Sequence, residues 1–163
     1  MKRIERLCST GLLVAFLAAG LAHAQERGFG NAQDVKLPVE VTADNLSVDQ
    51  ATGKAIFSGK VLVGQGTMRL AADKVAVVYG GADARRITAL EATGNVTLAA
   101  GDDAAEAEKA DYDVASGNVV LTGNVLLTQG QNVMSGERVE VNLATGTANV
   151  SGRVRSVLQP GGQ

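Results

Sequence analysis

Apolar and polar positions alternate along much of the chain. Val39-Glu40-Val41-Thr42 and Val139-Glu140-Val141-Asn142-Leu143 follow a period of two, and Val75-Ala76-Val77 continues it with large and small side chains. That period predicts strands with one dry face and one wet face. Turn signals follow three such runs: Ala51-Thr52-Gly53-Lys54, Ala115-Ser116-Gly117-Asn118 and Ala144-Thr145-Gly146-Thr147. Glycine at these points supplies a positive φ at little steric cost. A second strand is then expected, running through a Ser/Thr-Gly-x-Val element.

That element recurs four times: Ser58-Gly59-Lys60-Val61, Thr93-Gly94-Asn95-Val96, Thr122-Gly123-Asn124-Val125 and Ser151-Gly152-Arg153-Val154. Its glycines stand 35, 29 and 29 residues apart. Ala43, Ala107 and Gly136 each precede their glycine by 16 residues, whereas Ala72 precedes Gly94 by 22. The six residues Gly80–Arg85 have the length of an inserted turn. The chain therefore reads as about four repeats of roughly 29 residues, a regularity that sets the architecture.

Register between the repeats assigns the faces. The second strands turn inward Phe57, Val61 and Val63; Leu90, Val96 and Leu98; and Leu121, Val125 and Leu127. The first strands turn inward Val39, Val41, Leu70, Val75, Val77, Val139 and Val141. Lys60, Asn95, Asn124 and Arg153 face outward. Gly59, Gly94, Gly123 and Gly152 fall on the inward face, either as corners of a bent sheet or as room for a ligand chain. Strands of six to eight residues are expected. Two architectures suit them: a meander curled into two facing sheets, or a β-solenoid with a solid interior. Small aliphatic side chains facing one another either leave an apolar slot that can hold an alkyl chain or pack shut.

The first 24 residues look like a removable leader. Lys2, Arg3 and Arg6 precede an apolar run from Leu12 to Ala22, and Ala22-His23-Ala24 has the small-x-small cleavage pattern. The run is shorter than the ~20 residues of a membrane span, so cleavage after Ala24 is expected, with a retained anchor as the alternative. Cys8 and His23 leave with this segment. The remaining chain has no His, Cys or Trp, which excludes a disulfide framework, the usual zinc sites, a cysteine nucleophile and a Ser-His-Asp triad. The formal charge of −2 becomes −4 without the leader, which argues against nucleic acid as a partner. Apolar residues make up 45% of the chain and aromatic ones 3%, so a core is affordable but must be aliphatic.

The remaining charged groups suggest little chemistry. Asp102–Glu108 reads as a solvated hairpin tip, without the spacing of a calcium loop. Asp111 and Asp113 share a wet face around Tyr112. Arg85 and Arg86 lie at the inserted turn, where they are either ordinary surface residues or contacts for lipid phosphates.

Several segments carry a family resemblance. Pro38–Asp44, Phe57–Gly66, Ala72–Val75 and Val119–Val125, in that order behind a leader, resemble the LptA (OstA-like) family of periplasmic lipopolysaccharide-transport proteins. The resemblance covers about residues 38–158. It implies an all-β fold, a twisted antiparallel β-jellyroll open at both ends. It also implies a non-enzymatic bridge without cofactors, carrying lipopolysaccharide from the inner to the outer membrane with the acyl chains of lipid A inside. The implied partners are inner-membrane LptC-like and outer-membrane LptD-like jellyroll domains and further copies of the chain, end to end. The family's lipid contacts match Val39 and Val41; the other inward residues follow by register. The expected layout is a signal peptide over 1–24, a flexible segment over 25–37, the jellyroll over 38–158 and a tail over 159–163.

Overall fold

The computed structural model describes residues 29–30, 32–80 and 86–159. The leader with its cleavage point, Arg85 and the last four residues lie outside them. The described residues form ten strands and no helix: β1 (Glu40–Thr42), β2 (Asn45–Asp49), β3 (Lys54–Gln65), β4 (Met68–Gly80), β5 (Arg86–Ala100), β6 (Asp103–Asp113), β7 (Asn118–Gln129), β8 (Asn132–Asn142), β9 (Thr147–Ser151) and β10 (Arg155–Val157). They make one open antiparallel sheet in the order β1-β3-β4-β5-β6-β7-β8-β10. β2 also pairs with β3, and β9 with β8. This is the jellyroll that the family resemblance implies. The solenoid alternative fails, because consecutive strands pair as hairpins across the sheet and both edges stay open.

One sheet makes two layers because its strands bend at the Ser/Thr-Gly-x-Val elements. Gly59 and Lys60 have φ of 80° and 48°, Gly94 and Asn95 81° and 47°, Gly123 and Asn124 86° and 47°, and Gly152 and Arg153 74° and 41°. Two successive left-handed residues put one extra residue into β3, β5 and β7, and the register with the neighbouring strands shifts at each of these points. A bulge of this kind turns the strand without ending its hydrogen-bond ladder. The central strands therefore run for 11 to 15 residues, longer than expected, because each continues through the corner into the facing half-sheet.

The four glycines do not open room in the interior. A Cβ built on Gly59, Gly94, Gly123 or Gly152 would lie 2.5–2.7 Å from the side chain of Asp44, Asp73, Glu108 or Glu137, respectively. These carboxylates stand at the outside of the bend, Asp73, Glu108 and Glu137 on the neighbouring strand and Asp44 between β1 and β2. Asn95 Nδ2 donates to Asp73 at 2.8 Å, Asn124 Nδ2 donates to Glu108 at 2.8 Å, and Arg153 donates to Glu137 at 2.8 and 2.6 Å. Each corner is thus a glycine admitting a carboxylate, and at three of the four the next residue's side chain binds that carboxylate.

The turns at the other ends of the strands share a second device. Asp49, Asp113 and Asn142 each accept hydrogen bonds from the residues that follow. Ala51 N–H reaches Asp49 at 2.9 Å, Ser116 N–H and Oγ reach Asp113 at 2.8 Å, and Thr145 N–H and Oγ1 reach Asn142 at 2.9 and 3.0 Å. The Thr52 hydroxyl and the Ala51 amide hold the Asp49 carboxyl below its ordinary value of 3.8, and the Ser116 amide and hydroxyl do the same for Asp113. A depressed folded-state pKa contributes stability that is present above 3.8 and lost as pH falls through the lower folded value. Acidification below 3.8 should therefore lower the unfolding midpoint. The Asp49→Ala/Asp113→Ala double variant should show a smaller drop over the same range, followed by circular dichroism.

Candidate functional site

The interior between the two half-sheets is the candidate site. Val61 and Val63 on β3, Leu70, Val75 and Val77 on β4, and Leu90, Val96 and Leu98 on β5 are buried in one continuous cluster. Leu121, Val125 and Leu127 on β7 and Val139 and Val141 on β8 extend it. None of these thirteen is more than 1% exposed. Val39, Val41 and Phe57 are half-buried against the cluster at the β1/β2 edge, as Ala148 and Val150 are at the β9 edge. The structure thus brings all sixteen expected residues to one apolar interior, which is covered along its middle and half-exposed at both ends of the sheet.

Several residues of this interior were not anticipated. β6 contributes Ala105, Ala107, Ala110 and Tyr112, although its sequence is rich in charge. Only Gly101 and Asp102 make the hairpin tip; Asp103–Asp113 is a central strand. On even-numbered strands the inward positions jump by three at the corner, from Ala72 to Val75 and from Ala107 to Ala110, so Asp73-Lys74 and Glu108-Lys109 both stay outside. Met68 also belongs to the cluster, as does Leu143, which ends the alternating run that starts at Val139. Arg86 is exposed at the start of β5.

A polar contact between side chains crosses the interior. Gln65 on β3 is 4% exposed, and Tyr112 Oη on β6 donates to its Oε1 at 2.5 Å. Burial, with the nearby Asp113 carboxylate, pushes the Tyr112 hydroxyl up to about 12, so it stays a donor at neutral pH. Gln65 Nε2 donates to the carbonyls of Val35 and Leu37 at 2.8 and 2.9 Å. The amide is thereby saturated and ties the two half-sheets to the preceding segment. Tyr112→Phe leaves the Gln65 oxygen buried without a donor and should cost about 1–3 kcal/mol in urea unfolding.

The segment before β1 lies against this site. The stretch 25–37 was expected to be flexible. Its described part places Phe29 wholly inside the cluster, with Val35 packed against it. The acidic residues form no centre: among the described residues no group of three His, Cys, Asp or Glu side chains could hold a metal ion.

Residues 40–147 match the model of a family described as the LptA/(LptD N-terminal domain) LPS transport protein. The chain belongs to this LptA family. It is 34% identical over 67 residues to the lipopolysaccharide export system protein LptA of Escherichia coli K12, covering 41% of this chain and 36% of that protein. The alignment thus spans about a third of that LptA's length. An uncharacterized protein of Rhizobium meliloti is 33% identical over 132 residues, covering 73% of this chain and 69% of its own. The fold is similar to LptH of Pseudomonas aeruginosa, a crystal structure of an LptA-homologous periplasmic component of a lipopolysaccharide transport device. The TM-score is 0.70 at 21% identity, over 78% of this chain and 99% of that one. The family model covers β1 through β8 and the start of β9, including three of the four corners and all sixteen inward residues except Val39.

Proposed function

We propose that the chain is a periplasmic lipopolysaccharide-binding bridge protein, exported by cleavage after Ala24. It carries lipopolysaccharide from the inner to the outer membrane, contributing to outer-membrane assembly, with the acyl chains of lipid A held between the half-sheets. The observation that carries this reading is the aliphatic interior, continuous from the β1/β2 edge to the β9 edge and half-exposed at each. Removing an acyl chain from water is worth about 0.8 kcal/mol per CH₂, or roughly 10 kcal/mol for a dozen carbons. A passage of uniform Val, Leu and Ala contacts lowers the barrier to moving that chain without fixing it at one position. No covalent step is needed, so the role is not enzymatic and requires no cofactor.

The open edges suit strand addition. Leu46 and Val48 on β2, Val157 on β10 and the following Leu158 are exposed large hydrophobics. Another copy, or the LptC-like and LptD-like jellyroll domains of the two membranes, would add there and continue the groove. The close packing of the interior favours a second reading, a structural polymer subunit without a lipid ligand.

Photocrosslinkable residues at Val41, Phe57, Val63 and Leu121, compared with Lys60 and Asn124, separate the two in cells. Lipopolysaccharide adducts at the inward positions alone support transport through the interior. Folded protein without inward adducts overturns it in favour of the polymer.

A further inference from the structure

We propose that residues 29–30 and 32–37 belong to a displaceable strap, and that in the lipid-free protein Phe29 occupies the place taken by a fatty acyl chain. The inference rests on the reading of the interior as an acyl-chain groove and names what controls access to it.

The strap lies between hairpin tips of the two half-sheets, along the side opposite the corners. Gly30 N–H donates to Asp103 Oδ2 at 2.7 Å, and a Cβ on Gly30 would meet Ala100. Both neighbours belong to the β5–β6 tip of one half-sheet. Gly146, at the β8–β9 tip of the other, lies against Phe29, Gly30 and Ala32. Gln33 spans both halves, donating its N–H to Leu143 O at 2.9 Å and accepting the Met68 N–H on Oε1 at 3.0 Å. Val35 touches Gly117 at the β6–β7 tip, and Leu37 touches Gly66 at the β3–β4 tip. Inward Phe29, Gln33 and Val35 alternate with exposed Ala32, Asp34 and Lys36. The segment therefore closes the mouth lengthwise, with its apolar side chains in the groove.

The strap is also the part of the interior lining best placed to leave. It belongs to no strand, so its release breaks no ladder of the sheet. Its apolar hold on the core is mainly Phe29, an aromatic ring in a largely aliphatic cluster, and a saturated chain can fill the same volume. Its polar hold includes the Gln65 amide on Val35 and Leu37, which release must give up. Among the described residues Gln33 Nε2 is buried with no hydrogen-bond partner, a desolvation penalty that the closed state bears and the released state does not. Once Phe29 and Gln33 withdraw, the strap no longer bridges the two rows of tips, and the Tyr112–Gln65 contact is the remaining polar tie described between the half-sheets.

Hydrogen exchange and binding of a dansyl-labelled fatty acid to the leaderless chain test this. Saturating probe should raise exchange at the Gly30, Gln33 and Met68 amides while β5 to β7 keep their protection. Phe29→Ala, and separately Gln33→Ala, should bind the probe about tenfold more tightly, because less of the protein is held in the occluded state. Binding to the unmutated chain with those three amides still protected, or equal affinity in folded variants, overturns the strap and leaves the groove standing. No binding by any of the three proteins, with strand protection intact, overturns the groove reading and the strap together. The exchange measurement needs no substitution, so it decides even if a variant fails to fold.

Discussion

Leu121→Ala should lower the unfolding free energy by about 2–5 kcal/mol. Leu121 is fully buried at the middle of β7, opposite Ala110 on β6 and Val139 on β8. Its neighbours are too small and too firmly laddered to collapse into the space, which places the loss towards the upper end. A domain of this kind holds about 5–15 kcal/mol in total, so the urea midpoint should move well beyond measurement error. Leu126→Ala on the same strand is the control: that side chain is 38% exposed and should lose under about 1 kcal/mol. Equal losses at the two sites would contradict the assignment of faces.

Gly123→Val should destabilise the chain by about 3 kcal/mol, through strain at positive φ and a clash at the corner. Gly123 has φ of 86°, and the added Cβ would lie 2.7 Å from Glu108 Cβ and Oε2. The carboxylate could swing away only by giving up its bond to Asn124. Asn124→Gly removes that exposed hydrogen bond but relieves a positive φ of 47°, so its effect should be within about 0.5 kcal/mol. The contrast separates the two members of the corner. Thermal unfolding of both variants would show it.

Where a strand carries large aliphatics at period two, as β7 does with Val119, Leu121, Val125 and Leu127, its inward face was legible in the sequence. The same alternation fails on β6 for two physical reasons. Its inward residues are mostly alanine, whose small side chain hardly stands out from the charged residues between them. The corner also inserts a step of three, so alternation carried through Glu108-Lys109 assigns the wrong face beyond it. The corner itself was half legible. The recurring glycine was legible as a corner of a bent sheet or as room for a ligand. The corner is what it makes, while the carboxylate it admits outside the bend had no signal in the alternation. Asn95 and Asn124 were a usable signal, since asparagine tolerates the left-handed region better than most residues. Lys60 and Arg153 give no such signal, and only their equivalent place in the repeat shows that they take the same left-handed backbone. Phe29 follows no period and sits between glycines, so nothing in its surroundings marks it as core. Its burial depends on contacts with hairpin tips distant in sequence.

The most direct test of lipid carriage is methyl NMR of the leaderless chain bound to lipid A, with Val and Leu methyl groups labelled. The account predicts intermolecular NOEs from the acyl chains to Val63, Leu98 and Leu121, and none to the outward Leu62 and Leu126. NOEs confined to Leu62 and Leu126, or a complex that shows none at the inward methyls, would contradict it.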